Sequence, residues 1–188
     1  MLDERREALR NALNDSDEEV RQAAARALDG IELLDSLDAL LQAVVAGERG
    51  ERVKAIFALE RARSSRVFPV LLKAVEDEDA DIRAAATQVL GRRHNPRTLK
   101  AVLARLKDSE PAVRVHAATA LGYFSDRRLV PYLAAVLKAR DDALVCAAID
   151  SLARIGDPSA EPHLLLALHD PRRKVRIAAA EALGRLDF

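Results

Sequence analysis

Pro111-Ala-Val-Arg-Val-His-Ala-Ala-Thr-Ala-Leu-Gly122 is the stretch from which the fold can be read. Val113, Ala117 and Leu121 lie four apart and share one helix face, with Ala120 joining from the next row. Pro111 suits a first helical turn and Gly122 suits the residue just past the end. Moving outward, the same pattern returns every 31 residues. Leucine falls at Leu28, Leu59, Leu90, Leu121, Leu152 and Leu183. Alanine keeps the step four residues upstream, at Ala24, Ala55, Ala86, Ala117, Ala148 and Ala179. A fixed step from end to end is the mark of a repeated structural unit rather than of one irregular core.

The equivalent segments are Glu18–Asp29, Ala80–Gly91, Asp142–Ala153 and Arg173–Gly184, with a weaker one at Arg49–Glu60. Each is the second helix of a unit. A first helix precedes it, with helical apolar spacing at Leu37, Leu40, Leu41 and Val44, at Leu99, Val102, Leu103 and Leu106, and at Leu129, Leu133, Val136 and Leu137. Asn95-Pro96, Ser125-Asp126 and Asp157-Pro158 mark turns between the two kinds of helix. Short loops make neighbours antiparallel. About six helix pairs, roughly twelve helices, are expected to fill residues 1–188 as one all-α domain with no linker. Arg6 and Arg10 stand where later units carry Leu37, Phe68, Leu99 and Leu41, Leu72, Leu103. A polar capping helix over about residues 2–13 is therefore expected. The other end, Leu186-Asp187-Phe188, is less protected, which leaves self-association through the last repeat open.

Composition agrees with helices. Hydrophobic residues make up 49% but aromatics only 3%, so Ala, Leu and Val supply the apolar mass. The 30 basic and 30 acidic residues cancel, giving no overall attraction to nucleic acid or an anionic membrane. The single Cys146 excludes an internal disulfide framework. Met1-Leu2-Asp3-Glu4-Arg5 carries charge where a signal peptide needs an apolar run, and no stretch is long enough to span a bilayer. A cytoplasmic protein is the expectation.

The pattern Asp-x-x-x-x-Val-Arg-x-x-Ala-Ala-x-x-Leu-Gly, as in Asp77 to Gly91, Asp108 to Gly122 and Asp170 to Gly184, resembles HEAT repeats of the short type similar to phycobilin lyase subunits. The resemblance covers nearly the whole chain. It implies a right-handed α-solenoid whose second helices line a concave surface. It implies no one function, since such arrays serve as lyase chaperones, scaffolds, adaptors and occasional enzymes.

Two charges travel with the repeat. The position after the core Val reads Arg21, Arg52, Arg83, Arg114, Val145, Arg176, and six residues earlier stand Asp15, Ala46, Asp77, Asp108, Ala139, Asp170. The unit lacking its Arg also lacks its Asp, so the two groups are expected to meet as a structural ladder: Asp15 with Arg21, Asp77 with Arg83, Asp108 with Arg114, Asp170 with Arg176. Arg52 faces Ala46 and is expected to be unpaired, hence open to a ligand.

The side of the second helix opposite the core gives the candidate partner site: Val53, Phe57, Gln88, Val115, Thr119, Cys146, Asp150 and Ile177. An exposed apolar strip with a polar border is one reading. Tight curvature, with neighbouring helices covering these side chains, is the other. Turns between units are basic: Arg61, Arg63, Arg66, then Arg92, Arg93, Arg97, then Arg127, Arg128. Turns inside units are acidic, as at Glu76, Asp77, Glu78, Asp79 and Asp81. The basic edge could steer an acidic protein or contact phosphates, but only Tyr123 and Phe124 lie near for base stacking, which disfavours nucleic acid.

No reaction is legible. His94, His116, His163 and His169 share no ligand spacing, and none precedes a Glu, so the His-Glu pairs of HEAT-type iron hydroxylases are missing. No phosphate-cradling or nucleophile-elbow motif is present. Cys146 reads as a small hydrophobe in a row of Val and Ile. The expectation is a non-catalytic protein-binding scaffold without cofactor or metal. A lyase-like subunit handling a tetrapyrrole and nucleic-acid binding along the arginine edge are the alternatives.

Overall fold

The computed structural model describes the backbone of residues 2–186 and the side chains of residues 4–31 and 35–186. Every regular element among them is helical: α1 (Leu2–Ala12), α2 (Glu18–Ala46), α3 (Arg49–Ala58), α4 (Val67–Ala74), α5 (Ala80–Arg93), α6 (Leu99–Ala104), α7 (Pro111–Leu121), α8 (Val130–Val136), α9 (Asp142–Ile155), α10 (Glu161–Ala167) and α11 (Arg173–Leu183). Tight 3-10 turns at Pro96–Thr98, Arg127–Leu129 and Pro158–Ala160 lead into the later first helices. The arrangement is an α-solenoid.

Asp and Asn write the punctuation. Asn95, Asp126 and Asp157 each accept the backbone N–H two residues on, opening those 3-10 turns. Asp17 and Asp79 cap α2 and α5 in the same way, and Asp141 caps α9 through the N–H of Leu144. One punctuation mark expected from the repeat is missing. The second helix of unit 1 and the first helix of unit 2 are not separate elements but run on as the 29-residue α2. The linking segment Asp29-Gly30-Ile31 to Asp35-Ser36 contains no proline and no Asn-Pro or Asp-Pro pair. Its one weak point, Gly30, costs a helix only about 1 kcal/mol.

Second helices form the inner scaffold of the array, with α3 packing on α5, α5 on α7, α7 on α9 and α9 on α11. Each first helix covers its own partner: α4 on α5, α6 on α7, α8 on α9 and α10 on α11. Leu59, Leu90, Leu121 and Leu152 are fully buried in one continuous core with Ala86, Ala148 and Ala179. The outermost members of the row, Leu28 and Leu183, are half-buried because each has a neighbouring unit on one side only. Small residues set the helix spacing. A Cβ added at Gly91 would sit 2.7 Å from Ala120 Cα, and one at Gly122 would sit 2.7 Å from Ser151 Oγ. Gly122 is therefore not a chain-reversing residue, since its backbone is right-handed helical. Among the described residues, the left-handed positions are His94, Ser125 and Gly156 instead.

Candidate partner-binding surface

The residues expected to form the docking strip do lie on successive second helices, but their exposure is uneven. Phe57 on α3 is 37% exposed and Ile177 on α11 is 45% exposed. Between them Val53, Val115 and Cys146 are half-buried and packed against the core. Gln88 and Thr119 are also half-buried, and Thr119 turns its hydroxyl onto the carbonyl of Val115 at 3.1 Å. Asp150 is exposed and accepts from Arg185 at 2.6 Å. Neighbouring helices thus cover the middle of the strip and leave apolar side chains open at its two ends.

The arginine–aspartate ladder has a different wiring from the one expected. Each ladder Arg donates to the backbone carbonyl, not the carboxylate, of its own unit's Asp: Arg21 to Asp15 O at 2.7 Å, Arg83 to Asp77 O at 2.9 Å, Arg114 to Asp108 O at 2.8 Å and Arg176 to Asp170 O at 2.8 Å. The carboxylate belongs to the next unit. Arg83 grips Asp108 through Nε at 3.0 Å and Nη2 at 2.9 Å, a bidentate pair 25 residues apart in sequence. Arg52 is not unpaired either. It binds the Asp77 carboxylate and donates Nε to Val44 O at 2.8 Å, so it is not open to a ligand. The same carboxylates close their own turns by accepting the N–H two residues on, at Asp79 and Glu110.

Where the ladder loses a rung, another arginine replaces it. Val145 cannot reach Asp170. Arg172 binds that carboxylate through Nε and Nη2, both at 2.8 Å, and reaches back to Ala139 O at 2.8 Å. Arg105 plays a related part, spanning Val75 O and Asp108. Neither residue stands out in the sequence, because neither follows the 31-residue step. The pKa values follow the contacts. Burial is the largest single influence and raises Asp77 and Asp108, but the guanidinium hydrogen bonds from Arg52 and Arg83, the backbone N–H groups of Asp79 and Glu110 and the nearby arginine charges together outweigh it and hold both below the ordinary carboxylate value. The hydrogen bond from Arg172 pushes Asp170 down to about 2.

The basic edge is partly spent on structure. Arg93 turns inward and donates to Leu59 O, Glu60 O and Ala62 O, closing the end of α3, with its guanidinium 4.9 Å from the centre of the Phe68 ring. Arg66 pairs with Asp38, Arg92 with Glu60 and Arg128 with Asp126. Arg61, Arg63, Arg97 and Arg127 are exposed and have no ion-pair partner among the described residues. The acidic edge is neutralised only in part, with Asp77 on Arg52 and both Asp79 and Asp81 on Arg49, while Glu76 and Glu78 are exposed.

With this stack of helix pairs in view, the family pattern described as HEAT repeats matches residues 37–110 and 99–184, and the pattern of a single HEAT repeat matches residues 6–31. The chain belongs to the HEAT-repeat family. No curated protein sequence matches it. Among solved structures, this HEAT array resembles a chain of the CpcE–CpcF complex of phycocyanin lyase from Nostoc sp. PCC7120, with a TM-score of 0.69 at 23% identity. The match covers 80% of the chain and 64% of the Nostoc chain, so the array spans just under two thirds of that relative's length. The Escherichia coli protein YibA matches with a TM-score of 0.64 at 21% identity, over 96% of this chain and 67% of that one. A designed armadillo repeat protein in complex with the peptide (KR)4 matches at 0.59 and 16% identity, over 96% and 98%. At these identities the likeness is one of fold.

The HEAT array gathers no cluster of three or more metal-ligating side chains among its described residues. His116 on α7 is half-buried, and burial holds its pKa below the ordinary value. His163 lies exposed on α10, and His94 closes α5 with a left-handed backbone. Burial, aided by Asp142 and Asp150, pushes the Cys146 thiol up, away from thiolate chemistry. Among the described residues, no helix is long and apolar enough to cross a membrane.

Proposed function

We propose that this HEAT array is a non-catalytic scaffold that docks a protein partner across its second helices. The supporting observation is the strip running from Phe57 to Ile177, apolar and open at its ends and half-covered between them. The helices beneath it are locked by cross-unit hydrogen bonds, so the surface is preformed and little ordering cost attends docking. Two similar structures, the CpcE–CpcF complex and the designed armadillo protein with its peptide, are themselves complexes. The test is affinity capture with wild type and with Val53→Ser/Phe57→Ala, both checked for helix content by circular dichroism. A partner retained by wild type should be lost or weakened at least about tenfold in the double variant, the effect of removing a buried aromatic anchor. Equal retention rejects this site.

The likeness to the phycocyanin lyase structure supports a second reading, a lyase-type subunit handling a tetrapyrrole. Mixing with free bilins should then shift their visible absorbance, and unchanged spectra reject it. Nucleic-acid binding has less support, since Arg66, Arg92, Arg93 and Arg128 already serve carboxylates or carbonyls within the fold. A cytoplasmic setting is part of the same proposal.

A further inference from the structure

The long α2 has a consequence at the edge of unit 2. In every later unit, a buried side chain stands at the start of the first helix or at the end of the 3-10 turn leading into it. Val67, Thr98, Leu129 and Ala160 occupy that column at the 31-residue step, and all four are buried. Its member in unit 2 is Ser36, which is exposed. Two further columns behave alike. Leu71, Val102, Leu133 and Leu164 are buried, while Leu40 is only half-buried. Val89, Ala120, Ser151 and Ala182 are buried, while Ala58 is exposed. Because α2 runs on without a turn, Ser36 lies mid-helix rather than at a chain reversal, and these three columns open together onto one cleft.

That cleft has a volume of about 620 Å³ and is walled by Leu37, Leu40, Ala58 and Ala62. The size lies within the roughly 300–1,000 Å³ of small-molecule sites. Its rim is Ser36, Ser64, Arg61 and Arg63. Among the described residues, the charge at the mouth is one-sided. The flanking carboxylates Asp35, Asp38 and Glu60 are already held by Arg6, Arg66 and Arg92. Arg61 and Arg63 have no ion-pair partner among the described residues. An aliphatic interior beneath two uncommitted guanidinium groups suits a molecule with an alkyl body and a carboxylate head.

We propose that the cleft between Ser36, Leu40, Ala58 and the Arg61/Arg63 rim binds an amphipathic aliphatic carboxylate. It is separate from the docking strip, so the two stand or fall by different readouts. The experiment is calorimetric titration of the full chain with dodecanoate below its micelle concentration, with dodecanol and dodecyltrimethylammonium as matched neutral and cationic probes. Dodecanoate should bind one to one, and Arg61→Gln/Arg63→Gln should weaken it by about tenfold or more, as loss of two charge-assisted contacts requires. Ser36→Leu, which installs the residue that unit 5 carries at Leu129, should abolish binding while raising the thermal midpoint. The cation should not bind. Absence of dodecanoate binding to wild type overturns the proposal. So does affinity unchanged in both the Arg61/Arg63 variant and Ser36→Leu, or equal affinity for the cation. Should Ser36→Leu fail to fold, the Arg61/Arg63 variant decides between the outcomes.

Discussion

At the scale of single residues, the array is held by carboxylates that do two jobs at once. Asp108 closes its own turn through the N–H of Glu110 and receives the guanidinium of Arg83 from the preceding unit. Its side chain is 3% exposed and that of Arg83 is 11% exposed, so this pair is largely shielded from solvent. Asp108→Ala should leave a buried arginine without its partner, at a cost of about 3–5 kcal/mol, visible as a lower urea midpoint. Arg114→Ala, which loses carbonyl contacts but no carboxylate, should cost about 1–2 kcal/mol. Equal effects would mean that the carboxylate contact adds nothing. Acid dependence follows from the same groups. The folded pKa values of Asp77, Asp108 and Asp170 lie below the ordinary 3.8. Their stabilisation is therefore complete above that value and is lost as pH falls through the folded pKa, to about 2 for Asp170. Arg172→Ala should bring the Asp170 midpoint up toward 3.8, read by carboxyl-carbon NMR titration. An unmoved midpoint would contradict the assigned contact.

At the scale of elements, the column Glu60, Gly91, Gly122, Ala153, Gly184 separates packing from backbone freedom. Gly91 sits where α5 meets α7, and a methyl group there would press on Ala120 backbone. Gly184 has the same helical backbone at the end of α11, but its added Cβ would meet nothing nearer than 3.6 Å. Gly91→Ala should cost about 1–3 kcal/mol through overpacking, while Gly184→Ala should be neutral or stabilise by up to about 1 kcal/mol. Thermal denaturation distinguishes them, and equal shifts would show that helix propensity rather than close approach governs the column. The helices themselves were legible because Val, Ala and Leu recur in register with a helical face. The fusion in α2 was not, because the repeat supplies a column for a turn whether or not a breaking residue fills it. The ladder wiring was hidden for an arithmetical reason. With a 31-residue period, the Asp six before an Arg and the Asp 25 after it fall in the same column. Periodicity identifies the two residue types that meet but not which unit donates each. Arg105 and Arg172 keep no period, so their bridging contacts were invisible to it, and the Ser36 cleft required knowledge of where α2 fails to turn.

At the scale of the whole molecule, stability in a stacked array is a sum over units and interfaces, so the least buried unit opens first. The two ends differ in this respect. At the far end α11 buries Val175, Ala179 and Ala182 against its neighbours. At the near end Leu13 and Val20 are exposed and Leu28 is half-buried, leaving Ala24 as the fully buried apolar side chain described between residues 4 and 31. Unit 1 also lacks the carboxylate rung to unit 2, since Arg21 finds Ala46 where Arg52 and Arg83 find Asp77 and Asp108. Both deficits act on the same interface. Hydrogen exchange should therefore be fastest in α1 and in the first half of α2, and slowest in α5, α7 and α9. Ala46→Asp, which restores the missing rung for Arg21, should slow exchange in α1 and early α2 while leaving α9 unchanged. Mass-spectrometric exchange on both proteins resolves this by peptide. Uniform protection along wild type, or slowing spread equally over all units in the variant, would show that the array opens as one cooperative body rather than unit by unit.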